Sequence, residues 1–404
     1  MNECTELKQC CACGSDKLKQ VLDLGEQPLA NSYLDREEQS EKTYPLAANV
    51  CLECHHVQLT HAIHPDLMFK HYLYVSGTTD TLRENMKWFV KFVEEYTGSR
   101  GRVLDIGCND GTQLNYFKAN RWRTYGIDPA ENITPIAIGN GHKVWTDYFN
   151  TETAMKLVDV QPNVIVAQNV VAHNYDAVNF LRNVRQVMTD STTFFMQISQ
   201  ADMIRRNEFD TCYHEHINFF NVKSLTKIAD RAGLHIRDIV KSPIHGNSYI
   251  VIMHKHKRGE ARVENMMNID AMDGLYKLST YERWGSNAQM LMDQMNTIIN
   301  EARNQGKLIV GYGAAAKGVV VMNFGKPQID FVIDDNPLKQ GKFIPGTRTP
   351  IVNIAYLEQF SDKKVLFVPL AWNFFDEIVR RIKVIRNNPD DQFLRYFPTI
   401  EVSN

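Results

Sequence analysis

Apolar residues in the middle of the chain alternate between a helical and a strand-like pattern. Leu82, Met86, Phe89 and Val93 recur at helical spacing, and Gly98 stands where such a helix would end. Unbroken apolar runs of strand length follow at 103–106, 124–127, 164–167 and 192–198. Buried parallel strands have this pattern, so the middle of the chain is predicted to be an α/β domain.

The last elements of this alternating pattern indicate which kind of α/β fold is present. A helix is predicted over 222–233, with Leu225 and Ile228 on one face. The runs 236–240 and 248–254 are close enough to pair as an antiparallel hairpin. A parallel sheet completed by a hairpin is the Rossmann variant of methyltransferases, whereas an NAD-binding domain would more often continue in parallel.

The turn after the first strand predicts a nucleoside site. The strand 103–106 runs into Gly107, and a second strand ends about twenty residues later at Asp128, which can accept the ribose hydroxyls. Asn109 stands where a dinucleotide site has its middle glycine, and that glycine matters most when a pyrophosphate lies on the backbone. We therefore expect S-adenosylmethionine (SAM), with NAD or a purely structural turn as alternatives.

Eight cysteines include two C-x-x-C pairs, Cys10/Cys13 and Cys51/Cys54. Four thiolates suit the tetrahedral preference of zinc, so we predict a structural zinc site within an irregular, strand-poor region over residues 1–75. Four unrelated thiols are the main alternative. His55, His56, His61 and His64 lie nearby and could replace a thiolate.

The last third of the chain predicts a second Rossmann-like unit. Residues 260–305 are predicted to be helical, with Met290, Leu291, Ile298, Ile299 and Ala302 buried. A strand from 308, a turn at Gly313 and a strand ending at Asp334 follow. This unit could bind a dinucleotide, the phosphates of a nucleotide-linked substrate, or nothing. Lys317, near the start of its helix, is the candidate phosphate contact.

Composition limits the function classes. The 404 residues carry a net charge of −2 and are 44% hydrophobic and 23% charged, as in an ordinary soluble protein. No basic footprint for nucleic acid is present. No apolar run approaches the ~18 residues of a membrane span, and the N-terminus does not resemble a signal peptide. A cytoplasmic enzyme of unspecified oligomeric state, compatible with a monomer, is expected.

The segment Tyr213-His214-Glu215-His216 predicts acid–base chemistry. It follows the fourth central strand, so it should lie over the cofactor crevice. An imidazole with a pKa near neutrality is suited to removing a proton from an activated C–H bond, and a neighbouring carboxylate can orient it. A polar loop and a metal site are the alternatives.

Over nearly its whole length the chain resembles the sugar C-methyltransferases that act on nucleotide-linked 4-keto-deoxysugars. The resemblance rests on motifs that are specific only together: the two C-x-x-C pairs, Leu24-Gly-Glu-Gln-Pro-Leu-Ala-Asn31, Tyr72-x-Tyr74-x-Ser76-Gly77, Ile106-Gly-Cys-Asn-Asp-Gly111, Gly126-Ile-Asp-Pro129, Asn169-Val-Val-Ala-His173, Tyr213-His-Glu-His216, Gly313-Ala-Ala-Ala-Lys-Gly318 and Asp334-Asp-Asn-Pro-Leu-Lys-Gln-Gly341.

The resemblance implies a three-part α/β enzyme. A zinc-binding domain (1–75) and a C-terminal Rossmann-like substrate domain (259–404) would flank a class I Rossmann-like SAM-dependent methyltransferase domain (76–258). His216 would remove the proton beside the ketone, and the enolate would take the methyl group. The implied catalytic residues are His216, Glu215, Tyr213, Tyr74 and His214. The expected SAM contacts are Asp105, Gly107, Cys108, Asn109, Gly111, Asp128, Pro129, Asn169, His173 and Ser76; the expected substrate contacts are Asn247, Lys317 and Tyr72.

One departure from the family pattern affects substrate recognition. The family has His-Gly-Gly-Ser-apolar-Arg in the final hairpin, and this chain has His245-Gly-Asn-Ser-Tyr-Ile250. The nucleotide or the methylated carbon could therefore differ. Competing functions are an O-methyltransferase, an NAD(P)-dependent oxidoreductase, an RNA methyltransferase and a non-catalytic binding protein.

Overall fold

The computed structural model describes residues 2–70, 76–77, 80–198, 202–242, 248–257 and 262–404. Its central domain is a seven-stranded sheet of order β12-β13-β10-β9-β6-β7-β8. In chain order its elements are α2 (Asp80–Thr97), β6 (Arg102–Ile106), α3 (Thr112–Ala119), β7 (Arg123–Asp128), α4 (Thr134–Gly139), β8 (Lys143–Thr146), α5 (Thr151–Leu157), β9 (Val164–Gln168), α6 (Ala177–Val187), β10 (Thr193–Ile198), β11 (Asn218–Phe219), α7 (Val222–Ala232), β12 (His235–Ser242) and β13 (Ser248–His254).

The predicted α/β class and the closing hairpin are confirmed. Strand β10 pairs parallel with β9 and antiparallel with β13, which in turn pairs antiparallel with β12. Leu225 and Ile228 are fully buried on one face of α7. The strands therefore end together at one edge of the sheet, where a Rossmann-like domain binds its ligand.

The N-terminal region was predicted to be strand-poor, and this prediction is wrong. It contains β1 (Cys4–Glu6), β2 (Leu18–Pro28), β3 (Thr43–Cys51), β4 (Val57–Leu59), β5 (His61–Ile63) and the short helix α1 (Asp66–Phe69). Alternate residues such as Leu22 and Leu24 are buried in β2, and Leu46, Ala48 and Val50 are buried in β3. This period of two is the pattern of a half-buried antiparallel sheet.

The C-terminal domain is the second Rossmann-like unit. Its elements are α8 (Val263–Met272), α9 (Leu278–Asn304), β14 (Leu308–Tyr312), α10 (Ala316–Gly325), β15 (Phe331–Ile333), β16 (Ile351–Val352), β17 (Val365–Pro369), α11 (Phe375–Arg386), β18 (Gln392–Arg395) and β19 (Glu401–Ser403). Among the described residues they form a six-stranded sheet of order β16-β15-β14-β17-β18-β19, which is parallel except for β19.

One of the positions predicted to be buried in the long helix α9 is exposed. Ile299 and Ala302 are buried as expected, but Met290 is 53% exposed. The buried face also carries Trp284 and Met292, which pack in one core with β2 and β3 of the N-terminal sheet and with α10. The zinc-binding and C-terminal regions thus share a hydrophobic core.

Strand β11 joins the central domain to the N-terminal sheet, whose order is β11-β4-β3-β2. Asn218 and Phe219 pair with Gln58 and Val57 of β4. The segment that carries His216 therefore runs directly into a sheet of another domain. None of the described helices combines the length and apolar character needed to cross a bilayer.

Candidate active site

The four predicted cysteine ligands form one cluster. The Sγ atoms of Cys10 and Cys54 are 3.6 Å apart, those of Cys13 and Cys51 are 3.5 Å apart, and all four lie within 4.8 Å of one another. Zinc–sulfur bonds of about 2.3 Å in a tetrahedron require S···S separations close to these values. The cluster therefore fits one zinc ion held by four thiolates.

The neighbouring histidines have other partners. Nε2 of His56 lies 3.0 Å from the Asn218 side-chain oxygen, and the ring packs against Phe220. Burial lowers the pKa of His56 to about 4, so the ring is neutral. His55 packs between Tyr276 and Tyr281. Both rings tie the zinc-binding domain to other parts of the chain.

A cavity of about 700 Å³ lies at the carboxyl ends of β6, β7, β9 and β10, and all three domains line it. Asn31 and Phe69 come from the N-terminal domain, and Lys317 and Trp372 come from the C-terminal domain. The central domain supplies the remaining walls, including His216. A cavity of this size at a junction of domains is a typical ligand-binding site.

The predicted cofactor turn forms one end of the cavity. The Gly107 N–H donates to the Ile127 carbonyl at 2.7 Å with φ of +77°, and a Cβ there would lie 2.4 Å from the Val170 side chain. Two backbone N–H groups, of Asn109 and Ala130, donate to opposite oxygens of Asp128 at 2.9 Å. The carboxylate is thereby held with its remaining lone pairs toward the cavity.

Most of the expected SAM contacts line this end, with one exception. Gly111 is not part of the lining; it begins α3 with φ of +77°, and a Cβ there would lie 2.8 Å from the Ala137 side chain. A larger residue at this position would collide with Ala137, so glycine is required here for packing. The lining members are Ser76, Asp105, Gly107, Cys108, Asn109, Asp128, Pro129, Asn169 and His173.

Several buried polar atoms at the cavity wall have no hydrogen-bond partner among the described residues. They are Oε1 of Gln113, Nε2 of Gln168, Oδ1 of Asn169 and Oε1 of Gln197. Leaving such a group unpaired costs about 1–3 kcal/mol, so these atoms indicate a polar ligand. A nucleoside with ring nitrogens and hydroxyls offers the donors and acceptors they lack.

The charge of this end suits a cationic cofactor. Burial, followed by the nearby Asp128 carboxylate, raises the pKa of Asp105 well above its usual range. Burial also raises the pKa of Asp128, against the backbone donors of Ala130 and Asn109. A sulfonium and an ammonium group close to these carboxyls would stabilise their ionised forms, and SAM carries both.

Replacing Asp128 by asparagine should weaken SAM-site binding. The amide has a single acceptor oxygen, which cannot serve two backbone N–H groups and a ribose together. Losing charge-assisted hydrogen bonds worth about 1.5–3 kcal/mol corresponds to a Kd higher by about 10- to 100-fold. Calorimetric titration with S-adenosylhomocysteine measures this. Asp147→Asn is the control. Asp147 is exposed, directly follows β8 and does not line the cavity, so the Kd should not change.

The predicted base is placed in the cavity by two hydrogen bonds. The Tyr213 hydroxyl lies 2.7 Å from Nε2 of His216, and Nδ1 of His216 lies 3.1 Å from the Thr211 carbonyl. A carbonyl can only accept, so Nδ1 carries the proton and Nε2 accepts from Tyr213. Both side chains line the cavity. The basic lone pair of Nε2 therefore lies at the cavity wall, where it accepts from Tyr213 in this arrangement.

His214 and Glu215, which lie between Tyr213 and His216 in the sequence, contact different parts of the N-terminal domain. The buried Glu215 accepts a hydrogen bond of 2.5 Å from Asn31, a cavity residue of the N-terminal domain. His214 lies outside the lining: its ring packs edge-on to Tyr44 and its Nε2 donates to the Tyr44 carbonyl at 3.3 Å. Burial lowers the pKa of His214 to about 4. His214 thus joins two domains rather than facing the cavity.

His173 lies beside the base. Its ring is 5.0 Å from that of His216 and stacks on Phe69 at 5.6 Å. Burial lowers the pKa of His173 to about 4, and its Nε2 has no partner among the described residues. A neutral second imidazole avoids charge repulsion when the neighbouring ring takes up a proton.

The C-terminal domain closes the opposite end with positive charge. Lys317 and Lys339 both line the cavity, and Nζ of Lys317 lies 4.5 Å above the Trp372 ring. The cavity therefore has carboxyl groups at the Asp105 and Asp128 end and two lysines at this end, of which Lys339 lies 3.7 Å from Asp334. Such a gradient suits a cation at one side and an anion at the other.

The second Rossmann-like turn repeats the geometry of the first but is filled by protein. Asp334 accepts from the Ala314 and Asn336 N–H groups at 2.7 and 2.8 Å, as Asp128 does in its own turn. Tyr33 and Lys339 both donate to the Ala314 carbonyl, at 2.5 and 2.7 Å. Two side chains of the protein therefore contact this turn, which argues against a dinucleotide there.

Three predicted residues, Tyr72, Tyr74 and Asn247, lie outside the described residues. Sequence reasoning also missed several lining residues. Gln168 and Gln197 could have been found, since each lies at the carboxyl end of a predicted strand, where ligands bind in this fold. Trp372 had no such signal, because its place in the cavity depends on how two distant domains pack.

Three family models match successive parts of the chain. Residues 10–69 match a zinc-binding domain family, residues 79–239 a methyltransferase domain family, and residues 243–398 the C-methyltransferase C-terminal domain family. A curated relative, the C-methyltransferase NovU of Streptomyces niveus, is 28% identical over 396 residues, covering 95% of this chain and 94% of that protein.

Solved structures resemble part of the chain. A SAM-dependent methyltransferase from Clostridium acetobutylicum is 9% identical with a TM-score of 0.36, covering 43% of this chain and 92% of its own. The magnesium protoporphyrin IX methyltransferase of Synechocystis, solved with S-adenosylhomocysteine, is 11% identical with a TM-score of 0.36, covering 44% and 89%.

Proposed function

We propose that this chain, which belongs to the zinc-containing SAM-dependent C-methyltransferases, methylates the carbon next to the ketone of a nucleotide-linked 4-keto-deoxysugar. The observation that carries the proposal is the hydrogen-bonded Tyr213–His216 pair, which faces the same cavity as the nucleoside-type turn. A carbon acceptor needs a base for a C–H bond, and this pair supplies one.

His216 acts as the general base. Its Nε2 lone pair takes the proton beside the ketone, while the C–H electron pair forms the C=C bond of an enolate and the ketone π electrons move to oxygen. The Tyr213 hydroxyl, released from Nε2 at this step, is placed to donate a hydrogen bond to that oxygen, which stays an enolate. The Thr211 carbonyl, which accepts from Nδ1–H, stabilises the imidazolium that results.

The cofactor end holds the second reactant. SAM, when bound, supplies an electrophilic methyl group on a sulfonium. Asp128, the partnerless polar atoms of Gln168 and Gln197, and the buried Asp105 are suited to its ribose, its adenine and its positive charge. Holding the two reactants in one cavity converts the carbon–methyl encounter into an oriented, effectively unimolecular step.

A nucleotide-linked substrate accounts for the opposite, basic end. A diphosphate is an anion, and Lys317, at the second position of α10, presents a point charge beside the helix start. The filled turn around Asp334 disfavours a dinucleotide cofactor in this domain. We therefore assign the C-terminal domain to the nucleotide part of the substrate.

Replacing Lys317 by methionine should raise the KM for the nucleotide sugar by about tenfold or more, since a charge-assisted hydrogen bond to phosphate contributes about 1.5–3 kcal/mol. The kcat should change little, because the contact is equally strong before and during reaction. Steady-state kinetics separate the two parameters. Lys326→Met, exposed at the other end of α10, serves as the control.

Solvent hydrogen exchange tests the proposed function. The protein is incubated in D₂O with S-adenosylhomocysteine and a panel of 4-keto-6-deoxyhexoses linked to dTDP, GDP, CDP or UDP, and the proton beside the ketone is followed by NMR. We expect exchange with at least one sugar and methyl transfer to the same carbon when SAM replaces the homocysteine. Absence of exchange in protein that binds SAM would instead favour an oxygen acceptor.

A further inference from the structure

A short 3-10 turn, Phe209–Thr211, connects the C-terminal domain to the proposed base. Phe209 is fully buried, with ring centroids of Phe324 and Phe397 at 5.5 and 5.7 Å. Both of those rings belong to the C-terminal domain. The turn is thus anchored in a domain that supplies neither the base nor the cofactor turn.

The next two residues of the turn extend this anchor to His216. The indole N–H of Trp372 donates to Oδ2 of the fully buried Asp210 at 2.7 Å. The carbonyl of Thr211, one residue later, accepts from Nδ1 of His216 at 3.1 Å. Trp372 lines the cavity, whereas Asp210 and Thr211 do not. The contacts therefore connect Trp372, which lines the cavity, through Asp210 and Thr211, which do not, to Nδ1 of His216.

Burial of the Asp210 carboxyl at this position is unfavourable for folding. Burial raises its pKa to about 6, although the nearby Lys317 charge and the Trp372 hydrogen bond oppose the shift. Its Oδ1 has no partner among the described residues. An apolar side chain of similar size would fill the same space without this desolvation cost, so the carboxyl is better explained by the orientation it imposes than by stability.

We infer that Trp372 and Asp210 are positioning residues for His216. The indole fixes Asp210, Asp210 fixes the turn, and the Thr211 carbonyl then holds the imidazole in the tautomer that leaves Nε2 unprotonated toward the cavity. The C-terminal domain thus contributes to proton removal as well as to substrate binding. The inference rests on the proposed role of His216.

The test is Trp372→Phe, which removes the indole N–H and keeps an aromatic ring under Lys317. A misplacement of about 1 Å at a reacting group can cost about 100-fold, so we expect substrate proton exchange at saturating sugar to fall by about 10- to 100-fold. The Kd for S-adenosylhomocysteine should not change. Trp284→Phe is the matched control, because this equally buried indole has no hydrogen-bond partner among the described residues.

Asp210 variants, which do not reach the cavity, separate positioning from substrate contact. Asp210→Asn keeps an acceptor oxygen for the indole and should retain most of the exchange rate, whereas Asp210→Leu should lose it. The double variant Trp372→Phe/Asp210→Leu should be no slower than Asp210→Leu alone, since the two act as one unit. If Asp210→Leu does not fold, Asp210→Asn and Trp372→Phe still test whether the two residues position His216.

Each of the following outcomes overturns the inference. Exchange in Trp372→Phe equal to that in Trp284→Phe would do so, as would a change confined to the KM of the sugar. Wild-type exchange in a His216→Asn variant measured in parallel would overturn both this inference and the proposed base. Loss of exchange in His216→Asn, with normal exchange in Trp372→Phe, would overturn the positioning role alone.

Discussion

Replacing His216 by asparagine is expected to lower substrate proton exchange and methyl transfer by about 10²- to 10⁴-fold, the usual contribution of a positioned general base. The asparagine amide can still donate to the Thr211 carbonyl in place of Nδ1–H, so the backbone of the turn keeps its partner. What disappears is the Nε2 lone pair. The loss should appear equally in kcat and kcat/KM, because the interaction exists only as the proton moves.

His214→Asn is the matched control for this experiment. His214 is two residues away and equally buried, but its ring packs on Tyr44 outside the cavity. We expect lower thermal stability from the lost packing and nearly normal exchange per folded molecule. Exchange that is slow in His214→Asn and fast in His216→Asn would reverse the assignment, and NMR of the substrate in D₂O measures both.

The sequence predicted the parts of the fold and site that depend on local pattern. The run before Gly107 and the acid at Asp128 lie about twenty residues apart, and a βαβ unit of that length has only one way to bring them together. The two C-x-x-C pairs were likewise predicted to share one zinc ion, and their four Sγ atoms lie within 4.8 Å of one another. In both cases the spacing of residues along the chain is enough to predict which side chains lie close together.

Contacts that depend on tertiary packing could not be predicted from the sequence. Met290 was expected to be buried because it is apolar, yet α9 turns a face with Trp284 and Met292 toward the N-terminal sheet. His214 and Glu215 were expected to assist the base because they are its neighbours in sequence. Their side chains contact Tyr44 and Asn31 of another domain, and no spacing within the segment indicates that partner.

Loss of zinc is expected to affect proton removal more than cofactor binding. Cys51→Ser removes one of four ligands from the cluster, and a structural zinc site contributes roughly 10–16 kcal/mol to folding in small zinc-binding domains. We expect most of the bound zinc to be lost, together with a large decrease in the unfolding temperature of the protein. Elemental analysis and calorimetry measure these changes.

The coupling to catalysis follows from where the N-terminal sheet ends. Strand β11, two residues after His216, pairs with β4, and His56 contacts Asn218 across the same junction. A displaced sheet should therefore move the base, lowering substrate exchange by about 100-fold. The Asp128 turn takes its hydrogen bonds from within the central domain, so the Kd for S-adenosylhomocysteine should change much less.

Cys11→Ser distinguishes this coupling from a general effect of cysteine replacement. Cys11 lies between two ligands of the cluster but is not a member of it. The variant should keep its zinc, its unfolding temperature and its exchange rate. Equal loss of cofactor binding and exchange in Cys51→Ser would instead mean that zinc supports the whole molecule, with no specific route from the N-terminal sheet through β11 to His216.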